Sequence, residues 1–274
     1  MSDAPAAPSV FIIGGDRPAT LVRPLDYTAG TRLPLVIALH GYTSNSANTN
    51  RYFGLSQRVT RDRFALILPN GTRNPEGANF WNATDYCCDF WGTGVDDVAY
   101  LNGLVVEADE HIVADGVYLV GLSNGAFMSY RMACESMPGL RGIVPVAGTT
   151  FDDPERCAGA APVSVLHIHG TADVVIRYGG GSSNTGTTHY PGAEETVRRW
   201  AARAGCDLDA AETLEPLDLD FTLSGAETQP LRYREGCAEG VTVELWTIEQ
   251  GAHVPAFDPD RIGARLIDWL FAGR

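Results

Sequence analysis

Short, fully apolar runs recur along this chain with helical patterns between them, and that alternation restricts the possible fold more than any other feature. Residues 33–39 read LPLVIAL, 64–68 FALIL, 117–120 VYLV, 143–146 IVPV, 163–168 VSVLHI and 241–248 VTVELWTI. Runs this short, rich in β-branched residues, fit strands buried on both faces of a parallel sheet. Residues 96–112 carry Val98, Leu101, Leu104, Val105 and Ala108 at helical spacing, with Asp96 or Asp97 placed to cap the first turn. Further helices are expected over 124–137, 194–204 and 259–271. Strand and helix in alternation predict an α/β fold, a mostly parallel twisted sheet with helices on both faces.

The 274 residues suit one domain over 1–274. Two stretches interrupt the alternation. Residues 70–94, rich in Gly, Asn and aromatics, predict a long loop; the acidic residues 207–230 predict an exposed insertion or hairpin. The formal net charge is −14, and every basic residue is an arginine. An acidic surface repels nucleic acid and anionic lipid, so neither is expected as a partner. No apolar stretch is long enough to span a membrane. Residues 1–8 lack a basic start and an apolar core, so no leader is read there. The six cysteines (Cys87, Cys88, Cys134, Cys157, Cys206 and Cys237) point the other way, toward an oxidising compartment. A mature secreted or periplasmic protein reconciles the two; a cytoplasmic protein with free thiols is the alternative. Metal-ligand spacings of the C-x-x-C or H-x-x-x-H kind are absent, so no metal is expected.

The chemistry gathers around Gly121-Leu122-Ser123-Asn124-Gly125, which follows VYLV and precedes a helical segment. G-x-S-x-G between strand and helix builds a turn too tight for flanking side chains and projects the serine from the sheet edge. A serine hydroxyl is a weak nucleophile and needs a base, which in turn needs an orienting carboxylate. In chain order the candidates are Asp173, past the end of the 163–168 strand, and His253, just past the 241–248 strand. His167 and His169 lie inside a strand and are expected to make structural hydrogen bonds. His111 suits a helix C-terminus, His189 a loop near the site, and Asp153 is the rival acid. Developing negative charge needs donors; the backbone N–H groups of Asn124 and Tyr42 are the candidates for an oxyanion hole. His40 is read as a structural residue of the Tyr42 loop. Among the aromatics of the 70–94 loop, Trp81 is a candidate substrate contact, as is Val175 beside the proposed acid.

The segments LPLVIALHGYTSN, ILPNGT, FWNATDYCC, GVDDVAYL, YLVGLSNGAFMSYRMAC, VLHIHGTADVVIRYGGG and QGAHVPAF, spread over residues 10 to 272, resemble the polyhydroxybutyrate-depolymerase and feruloyl-esterase-like branch of the α/β-hydrolases. That resemblance implies the α/β-hydrolase fold, a serine esterase with the triad Ser123, Asp173 and His253, no cofactor and no metal, and an ester as substrate, feruloyl, acetyl or polyester. A peptidase or acyltransferase using the same triad, and a non-catalytic binding module, are the alternatives. Two departures stand out: the tryptophan many relatives carry soon after the histidine is missing from His253-Val254-Pro255-Ala256-Phe257, and the 207–230 stretch is peculiar to this chain. Six cysteines allow fifteen pairings. The expected set joins Cys134 to Cys157 and Cys206 to Cys237, leaving Cys87 and Cys88 bonded to each other or free.

Overall fold

The computed structural model describes residues 9–272. Residues 1–8, on which the leader expectation rests, lie outside the described residues, as do 273–274. The chain runs through β1 (Val10–Ile13), β2 (Ala19–Val22), β3 (Arg32–Leu39), α1 (Ser46–Phe53), α2 (Val59–Asp62), β4 (Ala65–Leu68), β5 (Thr72–Arg73) and β6 (Asn79–Phe80). It continues with α3 (Asp97–Ala108), β7 (Val113–Leu122), α4 (Asn124–Cys134), β8 (Leu140–Val146), β9 (Ser164–Gly170), β10 (Gly181–Ser182) and β11 (His189–Tyr190). It ends with α5 (Ala193–Arg203), β12 (Glu212–Thr213), β13 (Thr228–Tyr233), β14 (Val243–Ile248) and α6 (Pro259–Leu270).

Ten strands form one sheet in the order β1-β2-β4-β3-β7-β8-β9-β14-β13-β12. From β4 to β14 every pairing is parallel, and the outer pairings on both sides are antiparallel. Alternate residues of the central strands feed opposite cores, as the period of a strand requires. Leu35, Ile37 and Leu39 of β3 join Leu101 and Leu104 of α3, Phe127 of α4 and Trp200 of α5 on one face. Val36 and Ala38 meet Phe53 of α1 and Ile262 and Leu266 of α6 on the other. The apolar runs are continuous because both faces are covered.

The helix starts follow local chemistry. Asp96 caps α3 by accepting from the N–H of Ala99 (2.8 Å), and Asp258 caps α6 in the same way from Arg261 (2.9 Å), with Pro259 at the first helical position. α3 ends at Ala108 and α4 at Cys134, short of the expected 112 and 137, although Ile112 and Met137 are still buried in the same core beyond the helix ends. The 207–230 stretch is exposed over most of 207–218, as expected of an insertion, but its remainder is not. Leu219 and Asp220 are buried, and Thr228–Tyr233 pairs with β14 over its whole length, extending the sheet. All six cysteines are bonded, Cys134 to Cys157, Cys206 to Cys237 and Cys87 to Cys88. Among the described residues no helix is long and apolar enough to cross a membrane.

Candidate active site

Ser123 sits between β7 and α4 at φ 54° and ψ −116°, a backbone conformation that side chains other than glycine rarely adopt. The surroundings enforce it. The N–H of Ser123 donates to Val146 of the neighbouring strand (2.8 Å), and the Ser123 carbonyl accepts from Ala126 (2.8 Å) and Phe127 (3.0 Å). A Cβ on Gly121 would lie 2.2 Å from the carbonyl oxygen of Gly125, and one on Gly125 would lie 2.2 Å from that of Leu39. Both glycines are therefore dictated by close backbone approach.

The other two side chains come from loops on the adjacent parallel strands β9 and β14. Gly170 and Gly251 press backbone to backbone, so that a Cβ on Gly170 would lie 2.1 Å from the Gly251 carbonyl oxygen. The N–H of Ala172 donates to that same carbonyl (3.0 Å), which ties the two loops together. Asp173 and His253 are thus brought face to face by main chain. Nδ1 of His253 is 2.7 Å from Oδ2 of Asp173, and Nε2 is 2.9 Å from Oγ of Ser123. Oδ1 of Asp173 accepts from the N–H groups of Val175 (2.8 Å) and Ile176 (2.9 Å). Burial alone would raise the Asp173 pKa, but hydrogen bonds from His169 and His253, and from the Ile176 N–H, hold it well below the usual carboxylate range. The carboxylate is therefore charged at neutral pH and accepts the Nδ1–H of His253, which leaves Nε2 free to take the serine proton. Asp173 is buried, whereas Ser123 and His253 reach solvent.

Tyr42 lies in the loop after β3, next to Gly41, whose added Cβ would come within 3.4 Å of the Ser123 Cβ. The loop therefore runs alongside the serine. His40 pins it from below: Nδ1 donates to the Gly41 carbonyl (2.8 Å) and Nε2 accepts from the N–H of Gly71 (2.9 Å). Burial lowers the His40 pKa to about 4, so it stays neutral in this role. Asn124 is the first residue of α4, where backbone N–H groups have no helical partner. Its side chain is occupied elsewhere, accepting from the Trp81 N–H (2.7 Å) and donating to the Trp81 carbonyl (2.9 Å).

Trp81 is not where a substrate contact would be. Its side chain is fully buried and donates from Nε1 to the His40 carbonyl (3.0 Å), so the ring lies beneath the serine and the Tyr42 loop. A large apolar ring with one donor lowers its free energy most by burying the ring and pairing the N–H, and the loop folds to achieve both. The exposed aromatics of this loop are Phe90, whose ring meets that of Tyr42 edge-on at 5.4 Å, and Trp91. Val175 is exposed beside Asp173. Asp153 is remote in role, capping the short turn Pro154–Cys157. His111 stacks on Phe11, and His189 lies on β11.

Some residues around the site were not legible as such. Asp220 accepts from the Ala256 N–H (3.0 Å), and Tyr52 donates its hydroxyl to the Pro255 carbonyl (2.9 Å); both brace the His253 loop. Asp220 lies in a stretch whose only sequence signal was acidity. His169 contacts Asp173, and the four-residue separation from a strand end to the following loop was its only signal.

No family model matches the chain. It is 26% identical over 241 residues to feruloyl esterase B of Piromyces equi, covering 84% of this chain and 41% of that protein. It is 27% identical over 234 residues to the putative esterase NocK of Nocardia uniformis subsp. tsuyamanensis, covering 80% of this chain and 64% of that one. The chain thus spans less than two thirds of the length of either relative. Among solved structures, the acetyl xylan esterase from Aspergillus awamori superposes with a TM-score of 0.65 at 15% identity, over 96% of this chain and 99% of that one.

Proposed function

We propose that this chain, an α/β hydrolase related to proteins named feruloyl esterase, hydrolyses carboxylic esters through an acyl-enzyme on Ser123. The observation that carries the reading is the pair of distances that link Ser123 to His253 and His253 to Asp173, 2.9 Å and 2.7 Å. His253 Nε2 takes the proton of Ser123 Oγ as the oxygen attacks the ester carbonyl. Asp173 keeps the imidazole in the right tautomer and stabilises the imidazolium. The N–H groups of Tyr42 and Asn124 receive the charge on the carbonyl oxygen. The protonated imidazole gives its proton to the departing alcohol. Water, activated by the same nitrogen, then releases the acid and restores Ser123.

Two features favour esters borne on carbohydrate, with an aromatic or acetyl acid, over purely apolar polyesters. A cleft of about 830 Å³ borders the Asp173 loop, lined by Val174, Val175, Arg177, Asp152, His189 and Tyr86 among others. Its groups suit hydroxyls better than methylenes. The exposed Phe90, against Tyr42, offers a flat surface to an aromatic acid. The three disulfides support a chain that works in an oxidising compartment, outside the cytoplasm.

Ser123→Ala is the test. Turnover of p-nitrophenyl acetate should fall by about three or more orders of magnitude with the melting temperature preserved, and a fluorophosphonate should label the parent but not the variant. Undiminished turnover would remove Ser123 from the mechanism. A panel of methyl ferulate, p-nitrophenyl acetate and butyrate, and hydroxybutyrate and terephthalate esters then orders the substrates. Preference for the hydroxybutyrate esters would overturn the carbohydrate assignment.

A further inference from the structure

Tyr130, His167 and His169 form a fully buried line of side chains that ends on Asp173. Oη of Tyr130 is 2.7 Å from Nδ1 of His167, and Nε2 of His167 is 3.1 Å from Nδ1 of His169. Nε2 of His169 is 2.7 Å from the Ile176 carbonyl oxygen and 3.2 Å from Oδ2 of Asp173. The last of these atoms is the one that faces His253.

Chemistry fixes the direction of this line. A carbonyl oxygen only accepts, so His169 must carry a proton on Nε2. Burial, together with the neighbouring His169, keeps the His167 pKa far below its ordinary value, so that ring carries one proton. If Tyr130 donates to Nδ1, the His167 proton sits on Nε2 and is donated to Nδ1 of His169. Every polar atom then has its partner, and both rings are neutral. If Tyr130 accepted instead, its own proton would be stranded in a fully buried site. His169 would then have to hold protons on both nitrogens. A stranded buried donor and an extra buried charge are both unfavourable, so this arrangement loses.

We propose that Tyr130 sets, through His167, the Nε2–H tautomer of His169, and that His169 is thereby a positioning residue that holds Asp173 in line with His253. The ring is fully buried and acts through Asp173 and the Ile176 carbonyl of the same loop. With Oδ2 3.2 Å from its Nε2, His169 acts beside His253, 2.7 Å from the same oxygen, to keep that carboxylate ionised. Asp173 is thus ionised and aligned before any charge develops on His253, which is preorganisation rather than response.

The activity arm of the test rests on the esterase reading; the spectroscopic arm does not. Nitrogen-15 correlation spectra of the wild-type imidazoles should show His167 and His169 both as neutral Nε2–H tautomers. A doubly protonated or Nδ1–H His169 would overturn the proposal, whatever the activity. His169→Phe should lower kcat for p-nitrophenyl acetate by about ten- to a hundredfold with KM nearly unchanged, the size expected of a misplaced catalytic group. His169→Gln, whose amide can donate in the direction of Nε2–H, should recover most of that loss. Equal kcat in wild type and a folded His169→Phe would show the contact to be packing only. If His169→Phe does not fold, the wild-type tautomers and the kcat of His169→Gln still decide. An enzyme inactive on every ester, with the expected tautomers, would sink the esterase reading and leave the hydrogen-bond line standing.

Discussion

Trp81 shows how far a residue's type can mislead about its job. In the sequence it is one aromatic among several in a Gly- and Asn-rich loop, and such residues can equally well grip a ligand or anchor the loop. Only the pairing with Asn124 and the His40 carbonyl, made across the fold, selects the second role. Trp81→Phe should therefore leave KM for methyl ferulate unchanged. Urea unfolding should show a loss of about 1–3 kcal/mol, because the His40 carbonyl is left buried without its donor. Ser123, Asp173 and His253 were legible as candidates because the glycine-flanked turn and the two strand-end loops are local signals in a fixed chain order. His40 carries a pH signature. Its folded pKa, about 4, lies below the unfolded value, so the unfolded chain binds the extra proton between roughly pH 6.5 and pH 4. Its effect on stability is nil above that window. The penalty grows as pH falls and levels off below about pH 4, reaching about 3 kcal/mol. Urea titrations at pH 7 and pH 4.5 should show a smaller drop in His40→Gln than in the wild type.

Among elements, the central strands could be read directly because burial on both faces makes them mostly apolar, with few exceptions such as His167 and His169. The edge strands β1, β2, β12 and β13 could not. They are short or half-exposed, and β13 carries Gln229, Leu231 and Arg232 between its buried positions Thr228, Pro230 and Tyr233. Pro230 is compatible with an outer antiparallel position, where a missing N–H costs least. The stretch before β13 reads as solvent-facing and mostly is, yet one turn of it braces the loop that carries His253. Asp220 accepts from the Ala256 N–H and, from Thr222, both N–H (3.0 Å) and Oγ1–H (2.6 Å), while the Phe221 N–H donates to the Ala256 carbonyl (3.0 Å). Asp220→Ala should lower kcat by about tenfold through looser placement of His253. Its effect on KM should be small, and near-wild-type kcat would deny the brace any part in turnover.

Across the whole molecule the disulfides are divided unequally between the two faces of the sheet. Cys87, Cys88, Cys134, Cys157 and Cys206 all belong to the core under α3, α4 and α5, with Cys237 packed against it. The opposite core, under α1, α2 and α6, contains no cysteine. Replacing Cys206 and Cys237 by serine opens a loop with a sequence separation of 31 and should cost about 2–4 kcal/mol. A calorimetric melt of the double variant measures it, and an unshifted melt would make that crosslink dispensable. The loop bearing His253 leans on the uncrosslinked side, through Tyr52, Phe257 and Asp220. If the proposed esterase reading holds, warming should accordingly end activity before it ends the fold. The ester assay would decay at temperatures where the sheet still gives its full circular dichroism, and on cooling in time the activity would return.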